Sequence, residues 1–112
     1  MIDVVYFITS DRIGTQDPEL GIRLMSTFFL KLIQANSLPS HILLLERGVQ
    51  LLLPESSCLD PIKVLEKRGV EILACQTCLD YYGIKEKMGA GKVSNMPDII
   101  DAMQVAGKVI HL

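Results

Sequence analysis

The chain reads as an α/β domain: a mainly parallel five-stranded sheet with helices on both faces, a three-layer α/β/α sandwich. Three observations predict it. Short runs rich in β-branched residues alternate with longer amphipathic stretches as β-α-β-α-β-α-β-α-β. Several of those runs are apolar throughout instead of alternating, the pattern of strands covered on both faces. The length, 112 residues, suits one core, so residues 1–112 are read as a single domain. Parallel neighbours require right-handed crossovers, and the commonest five-strand arrangement has spatial order 2-1-3-4-5.

The elements follow in order. Residues 2–9 are a continuous apolar run and form the first strand. Residues 10–16 are a polar loop. Asp17, Pro18 and Glu19 then open a helix that runs to about Asn36, with a capping side chain, a proline suited to the first turn and an acid at the positive dipole end. Two apolar rows lie on this helix: Leu20, Leu24, Phe28 and Leu32, and beside them Ile22, Met25, Phe29 and Ile33. A helix resting on a sheet needs only one. The second row is expected to meet another copy of the chain, although loops of the same chain could also cover it.

Residues 41–45 are the second strand, broken by Gly48 and followed by a short apolar helix or turn over residues 49–53 that Pro54 ends. Ser56, Ser57 and Asp60 offer overlapping starts for the next helix, whose inward positions are Ile62, Leu65 and, for the earlier starts, Leu59. Gly69 stops it. Residues 70–74 form the third strand, and a helix begins within residues 78–84. Lys92, Val93 and Ser94 form a short edge strand. Asn95 or Pro97 opens the last helix, Gly107 stops it, and residues 108–112 are the final strand.

Composition excludes several roles. The formal charge is -2 with no block of Lys or Arg, which argues against nucleic acid or an anionic membrane as partner. Hydrophobic residues make up 49% and the mean hydropathy is +0.34, high for so small a chain, yet no apolar run approaches the length that spans a bilayer. The excess fits buried strands plus a surface covered in a homo-oligomer. No basic region precedes the first apolar run, so no signal peptide is read and a cytoplasmic location is expected. There thiols stay reduced, and a Cys-x-x-Cys is more readily reactive or metal-binding than a structural staple.

The chemistry concentrates in Cys75-Gln76-Thr77-Cys78-Leu79-Asp80-Tyr81-Tyr82-Gly83, at the exit of the third strand. Open α/β sheets place their sites at such strand-to-helix junctions. In the order 2-1-3-4-5 the first and third strands are neighbours, so the loop carrying Ser10, Asp11 and Arg12 would face the cysteine turn across one crevice. A thiol attacks as thiolate, and a helix N-terminus lowers its pKa. Cys78, in the expected first turn, is therefore taken as the nucleophile, and Cys75 as a helper that resolves a disulfide, shares a persulfide or packs. Asp80 can cap or contact a partner, Tyr81 and Tyr82 can frame the pocket, and Arg12 and Lys85 can stabilise an anionic sulfur. Other readings stay open: two buried small hydrophobes, a dithiol redox pair, or a metal site, the last poorly supplied with ligands. Cys58 is expected to be buried; His41 and His111 receive no role. The loop at residues 10–16 is not glycine-rich, which leaves a nucleotide phosphate little support.

These residues carry a resemblance. Phe7-Ile8-Thr9-Ser10-Asp11-Arg12-Ile13-Gly14, then Glu19-Leu20-Gly21, then Leu65-Glu66-Lys67-Arg68-Gly69-Val70-Glu71-Ile72-Leu73, the cysteine segment, and Asn95-Met96 before Asp98-Ile99 together resemble the DsrE-like domain of YedF-type proteins. The likeness covers nearly the whole chain. It implies the DsrE/DsrF fold, a flavodoxin-like sandwich whose members assemble as homo- or hetero-oligomers and relay sulfur on a cysteine, with a link to selenium metabolism. By position it implies that the segment from Cys75 to Cys78 carries the persulfide. YedF-type proteins usually add an N-terminal domain similar to the sulfur carrier TusA, with a Cys-Pro motif. No Cys-Pro occurs here, so a stand-alone domain or a fragment is expected, with a separate donor or acceptor protein such as a TusA-like carrier. The expectation is a sulfurtransferase-like relay protein that needs no cofactor, because thiolate attack on a persulfide is exchange chemistry. The alternatives are a non-catalytic or redox-sensing binding module and a dithiol oxidoreductase.

Overall fold

A computed structural model describes residues 3–112 of the chain. The strands are β1 (Val4–Ile8), β2 (His41–Leu44), β3 (Glu71–Cys75), β4 (Lys92–Ser94) and β5 (Lys108–His111). The helices are α1 (Pro18–Leu32), α2 (Leu59–Lys67), α3 (Gln76–Tyr82) and α4 (Met96–Val105), with 3-10 segments at Glu46–Leu52 and Lys85–Lys87. The alternation read from the sequence is the one the chain adopts. The first strand's expected start at Ile2 lies outside the described residues.

Local chemistry explains several boundaries. Pro18 sits in the first turn of α1 after Asp17, whose side chain makes no capping bond. That helix ends at Leu32, short of the expected Asn36, and the chain leaves it in turns. At α4 the side chain of Asn95 accepts from the N–H of Asp98 at 2.9 Å, which decides between the two expected starts in favour of Asn95. None of Ser56, Ser57 or Asp60 caps α2; Cys58 precedes it, and Ser56 Oγ accepts the Cys58 N–H at 3.0 Å. Gly83 ends α3 at φ 66, the left-handed conformation that glycine adopts without a Cβ clash.

All the strands pair in parallel, in the order β4-β3-β2-β1-β5. This corrects the expected order 2-1-3-4-5: β2, not β1, is the neighbour of β3. The cause is visible in burial. Ile42, Leu43 and Leu44 of β2 are wholly enclosed, the environment of a central strand, whereas Lys108, Val109 and His111 of β5 are exposed and suit an edge. The three connections from β1 to β4 step across the sheet in one direction. Only the α4 connection returns, so the switch point lies between β1 and β5.

The core has two unequal layers. On one face Ile8, Ile42, Leu44, Ile72 and Ala74 meet Met25 and Phe29 of α1, Val49 and Leu52 of the first 3-10 segment, Ile62 and Leu65 of α2, and Leu79 of α3. On the other, Val5, Leu43, Leu45 and Cys75 meet the buried Ile99 and Ala102 of α4, with Met103 and Cys78 packed at the margin. Helix α1 buries Gly21, Met25, Phe29 and Leu32. This stripe cuts across the two rows read from the sequence and leaves Leu20, Ile22, Leu24 and Leu30 exposed. Among the described residues no helix is long and apolar enough to cross a membrane.

Candidate functional site

Because every strand is parallel, the exits of β1, β2 and β3 share one edge of the sheet. From β1 comes the loop with Ser10, Asp11 and Arg12. From β2 comes the tight turn Leu45-Glu46-Arg47-Gly48. From β3 comes the cysteine turn. The β2 turn stands between the other two and contacts both, so the crevice expected between the first and third loops is bridged.

Cys78 occupies the first turn of α3, half-buried, and packs against both layers of the core. The N–H of Glu46 donates to its sulfur at 3.0 Å. Glu46 makes that bond from φ 51, the left-handed region that a residue with a side chain enters only under constraint. The constraint is local. Leu45 N–H donates to the Ile8 carbonyl at 3.0 Å, and Gly48 N–H closes onto the Leu45 carbonyl at 2.8 Å. A Cβ on Gly48 would stand 2.4 Å from the Ile8 carbonyl oxygen, so only glycine lets the turn lie this close to β1.

Cys75 ends β3, 3% exposed, and belongs to the core under α4. Burial raises the Cys78 thiol above its ordinary pKa, and contact with the Cys75 thiol and the nearby Glu46 carboxylate adds to the rise, while the Glu46 N–H opposes it. The expectation that the helix start would depress this thiol is corrected: partial burial outweighs what one short helix and one N–H offer.

The loop residues are ordered by their own bonds. Ser10 Oγ accepts the Arg12 N–H at 3.0 Å. Asp11 takes both nitrogens of a fork from Arg47, Nε at 3.4 Å and Nη2 at 3.3 Å, and Arg47 also donates to Gln50 at 3.2 Å. This pairing holds the Arg47 guanidinium further above its usual pKa. Ile13 N–H donates to the Gly21 carbonyl at 3.1 Å, which docks the loop on α1. The expected anion-stabilising Arg12 lies 3.7 Å from Asp11, with its Nε buried and without a hydrogen-bond partner.

Of the other expected residues, Tyr82 is half-buried and stacks edge-on with Tyr81 at 5.2 Å, but Tyr81 is 83% exposed and frames nothing. Asp80 is exposed and contributes its carbonyl to the end of α3. Lys85 lies exposed in the second 3-10 segment, apart from the hydrogen bonds around Cys78. His41 pairs with Glu71, and His111 bonds Thr9.

Cys58 is 2% exposed, at the base of a cleft of about 240 Å³ shared with Asp11, Gln50, Ser56 and Ser57. Burial raises its thiol, against the hydroxyls of Ser26, Ser56 and Ser57. Among the described residues no three metal-ligating side chains gather into a cluster. Sequence reasoning missed Glu46 and Arg47. The signal was a pair of charges and a glycine directly after the second strand, on the same sheet edge as the cysteine turn.

Comparison with known proteins places the chain. The DsrE/DsrF-like family profile matches residues 3–112. The fold is similar to that of the ychN protein from E. coli, with a TM-score of 0.74 at 16% identity over 100% of both chains. It is similar also to a protein of unknown function from Methanobacterium thermoautotrophicum, with a TM-score of 0.69 at 20% identity over 100% of both chains. A conserved protein of unknown function from Bacteroides thetaiotaomicron gives 0.67 at 16% identity over 98% of this chain and 95% of its own. None of the curated proteins is significantly similar in sequence. The chain belongs to the DsrE/DsrF-like family.

Proposed function

We propose that this DsrE/DsrF-like chain is a sulfur-relay protein that carries a sulfane sulfur on Cys78. The observation behind the reading is the N–H of Glu46 aimed at a half-buried sulfur on the sheet edge, 3.0 Å away, while the other two cysteines are buried. In loading, the Cys78 thiolate attacks the outer sulfur of a donor persulfide, R–S–SH. The bond from that sulfur to the donor breaks, and R–S⁻ leaves with the bonding pair. In discharge, an acceptor thiolate attacks the outer sulfur of Cys78–S–SH, and Cys78 leaves as thiolate. One sulfur atom moves in each step, with no net oxidation and no further reactant. Both steps place negative charge on the Cys78 sulfur, where an N–H donor favours it.

Cys75, buried behind Cys78, supports the site in this reading. A dithiol role would instead require Cys75 to come within bonding distance of Cys78 on oxidation. The finer likeness to the DsrE-like domain of YedF-type proteins, a protein donor or acceptor of the TusA-like kind, and a cytoplasmic setting belong to the same proposal. So does homo-oligomerisation, supported by Leu20, Ile22, Leu24 and Leu30, all at least 42% exposed along α1.

The test is intact mass after incubation with a sulfane-sulfur donor. A gain of one sulfur, lost in Cys78→Ser and kept in Cys58→Ser, is expected. No adduct with persulfide or polysulfide donors overturns the relay. A loss of two hydrogens, absent in Cys75→Ser, marks a disulfide instead. Sedimentation at micromolar concentration checks assembly: a stable monomer refutes it.

A further inference from the structure

The edge of the sheet opposite Cys78 holds a second group of polar side chains, at the amino ends of β1, β2 and β3. Ser40 stands directly before β2, half-buried, and its backbone is bonded on both sides. Its N–H donates to the Val4 carbonyl at 2.9 Å, and its carbonyl accepts the Glu71 N–H at 3.0 Å. His41, the next residue, is the register partner of Glu71 across the β2–β3 pair, so these two side chains rise from one face of the sheet. Three side chains then stand in series. Ser40 Oγ lies 2.9 Å from His41 Nδ1, and His41 Nε2 lies 3.3 Å from Glu71 Oε2. The other oxygen of Glu71 accepts from Lys92 Nζ at 3.4 Å, which ties the carboxylate to β4.

The proton positions follow from chemistry. An ionised carboxylate only accepts, so the neutral imidazole carries its proton on Nε2 and leaves Nδ1 as an acceptor. Ser40 is therefore the donor in the 2.9 Å contact. Its hydroxyl has a second acceptor, the Val4 carbonyl, at a longer 3.5 Å. Nucleophile, base and orienting carboxylate stand in the order that activates a serine. The two ring nitrogens exchange the roles they have in the serine proteases, which leaves the proton path unchanged. Ser40 also opens onto a cleft of about 490 Å³, within the size range of small-molecule sites. Val4, Tyr6, Leu38 and Pro39 give the cleft apolar walls, Asn36 a donor amide and Asp3 a negative charge.

We propose that Ser40 is an acyl-accepting nucleophile, with His41 as its general base and Glu71 as the positioning residue, in a site for short uncharged carboxylic esters. Ser40 Oγ attacks the ester carbonyl carbon and passes its proton to His41 Nδ1. The bond from that carbon to the alkoxy oxygen breaks, and the alcohol leaves with the bonding pair and the proton from His41. Water then adds to the acyl-serine with the same base, which releases the carboxylic acid and restores Ser40. Water is the only co-reactant. The apolar walls suit a short acyl chain, and Asp3 disfavours an anionic one. No cysteine takes part, so this site stands or falls apart from the relay.

The experiment treats the folded chain with diisopropyl fluorophosphate, a serine-directed reagent, and maps the adduct by peptide mass. The Ser40 oxygen displaces fluoride from phosphorus, so one adduct on Ser40 is expected, absent in Ser40→Ala. In His41→Gln the labelling rate should fall about a hundredfold, the lower end of what a general base supplies. Glu71→Gln keeps the size of the side chain but offers an amide that donates to Nε2 and moves the imidazole proton to Nδ1. Labelling should then fall about tenfold, part of the loss that such an amide causes in a serine protease. Nitrogen NMR shifts of His41 should report the changed tautomer, which a contact that only pairs strands would not produce. Acylation of Ser40 by p-nitrophenyl butyrate, followed by its hydrolysis, checks the substrate class. No adduct on Ser40, or labelling unchanged in His41→Gln, overturns the nucleophile and its base. Labelling and tautomer both unmoved in Glu71→Gln overturn the positioning role, and a Ser40 that takes the fluorophosphate but never the acyl group overturns the ester.

Discussion

Cys78 and Cys58 are the same side chain in two settings on one side of the sheet, and the difference separates a reactive thiol from a packed one. In both, burial is the first cause of a raised pKa. Beyond that they diverge. Cys58, 2% exposed, has hydroxyls for neighbours: Ser26 Oγ at 4.0 Å, with Ser26 hydrogen-bonded to Ser57. Cys78 is half-buried and meets a backbone N–H held by the turn after β2. A raised pKa does not tell the two apart; exposure and the kind of neighbour do.

The largest expected effect tests that division directly. In the native protein iodoacetamide should label Cys78 in minutes, while Cys58 waits for an opening of the core and reacts slower by several orders of magnitude. Peptide-resolved labelling reads the ratio. Comparable rates would mean that the cleft over Cys58 breathes, and the contrast would collapse.

Gly48→Ala comes next, because it strikes only one side of the comparison. The added Cβ at 2.4 Å from the Ile8 carbonyl must push the turn away from β1. A loss of about 1–3 kcal/mol is expected, the usual range for overpacking, read by chemical denaturation. Cys78 alkylation should change with it, since the Glu46 N–H moves, while Cys58 stays protected until global unfolding. A variant of wild-type stability with an unaltered Cys78 pH profile would show that the turn does not depend on glycine.

Most of this architecture was legible in the residues. Continuous apolar runs marked the strands, and Asn95 before Asp98 marked the start of α4. The strand order is not legible in the same way, although one clue lies in composition: the final strand, Lys108-Val109-Ile110-His111, is half polar, as suits an edge. The generic order takes no account of relative burial, which puts β2 at the centre. The cysteine turn was found from spacing, since a Cys-x-x-Cys after a strand stands out locally. Glu46 was not, because its part depends on a left-handed φ and on the strand neighbours, both tertiary facts. The pKa direction failed for the same reason: a helix start is visible in sequence, but the burial of the thiol by the assembled core is not.

Stability against pH sharpens the contrast by a smaller amount. Cys58→Ala should cost about 1–2 kcal/mol at pH 7, as a small deletion in an enclosed site, against about 0.5 kcal/mol or less for Cys78→Ala at its half-open position. The sign with pH follows from the raised thiol. Below the ordinary cysteine value, about 8.5, both folded and unfolded chains hold the proton. Above it, the unfolded chain ionises first and stability falls until the folded thiol ionises too. Wild type should therefore lose stability above about pH 8.5 faster than Cys58→Ala, and the gap between the two should narrow. A constant gap would mean that Cys58 ionises alike in both states.

The smallest effect concerns the link between the two settings. Asp11 lines the cleft over Cys58 and also holds Arg47, the residue next to Glu46. The pair is forked but exposed on the Arg47 side, so its contribution should be about 1 kcal/mol or less and should fade with salt. Arg47→Ala removes the nearer of the two cations beside Asp11 and leaves Arg12 at 3.7 Å. Since Asp11 already adds to the rise of the Cys58 thiol, the alkaline loss of stability should steepen slightly in Arg47→Ala and ease in Asp11→Asn. If opposite substitutions of one ion pair move the alkaline limb in opposite directions, charge carries the coupling between the rim and the cleft. If both move it the same way, the pair acts by holding the loop to the turn, and the two cysteines are electrostatically independent.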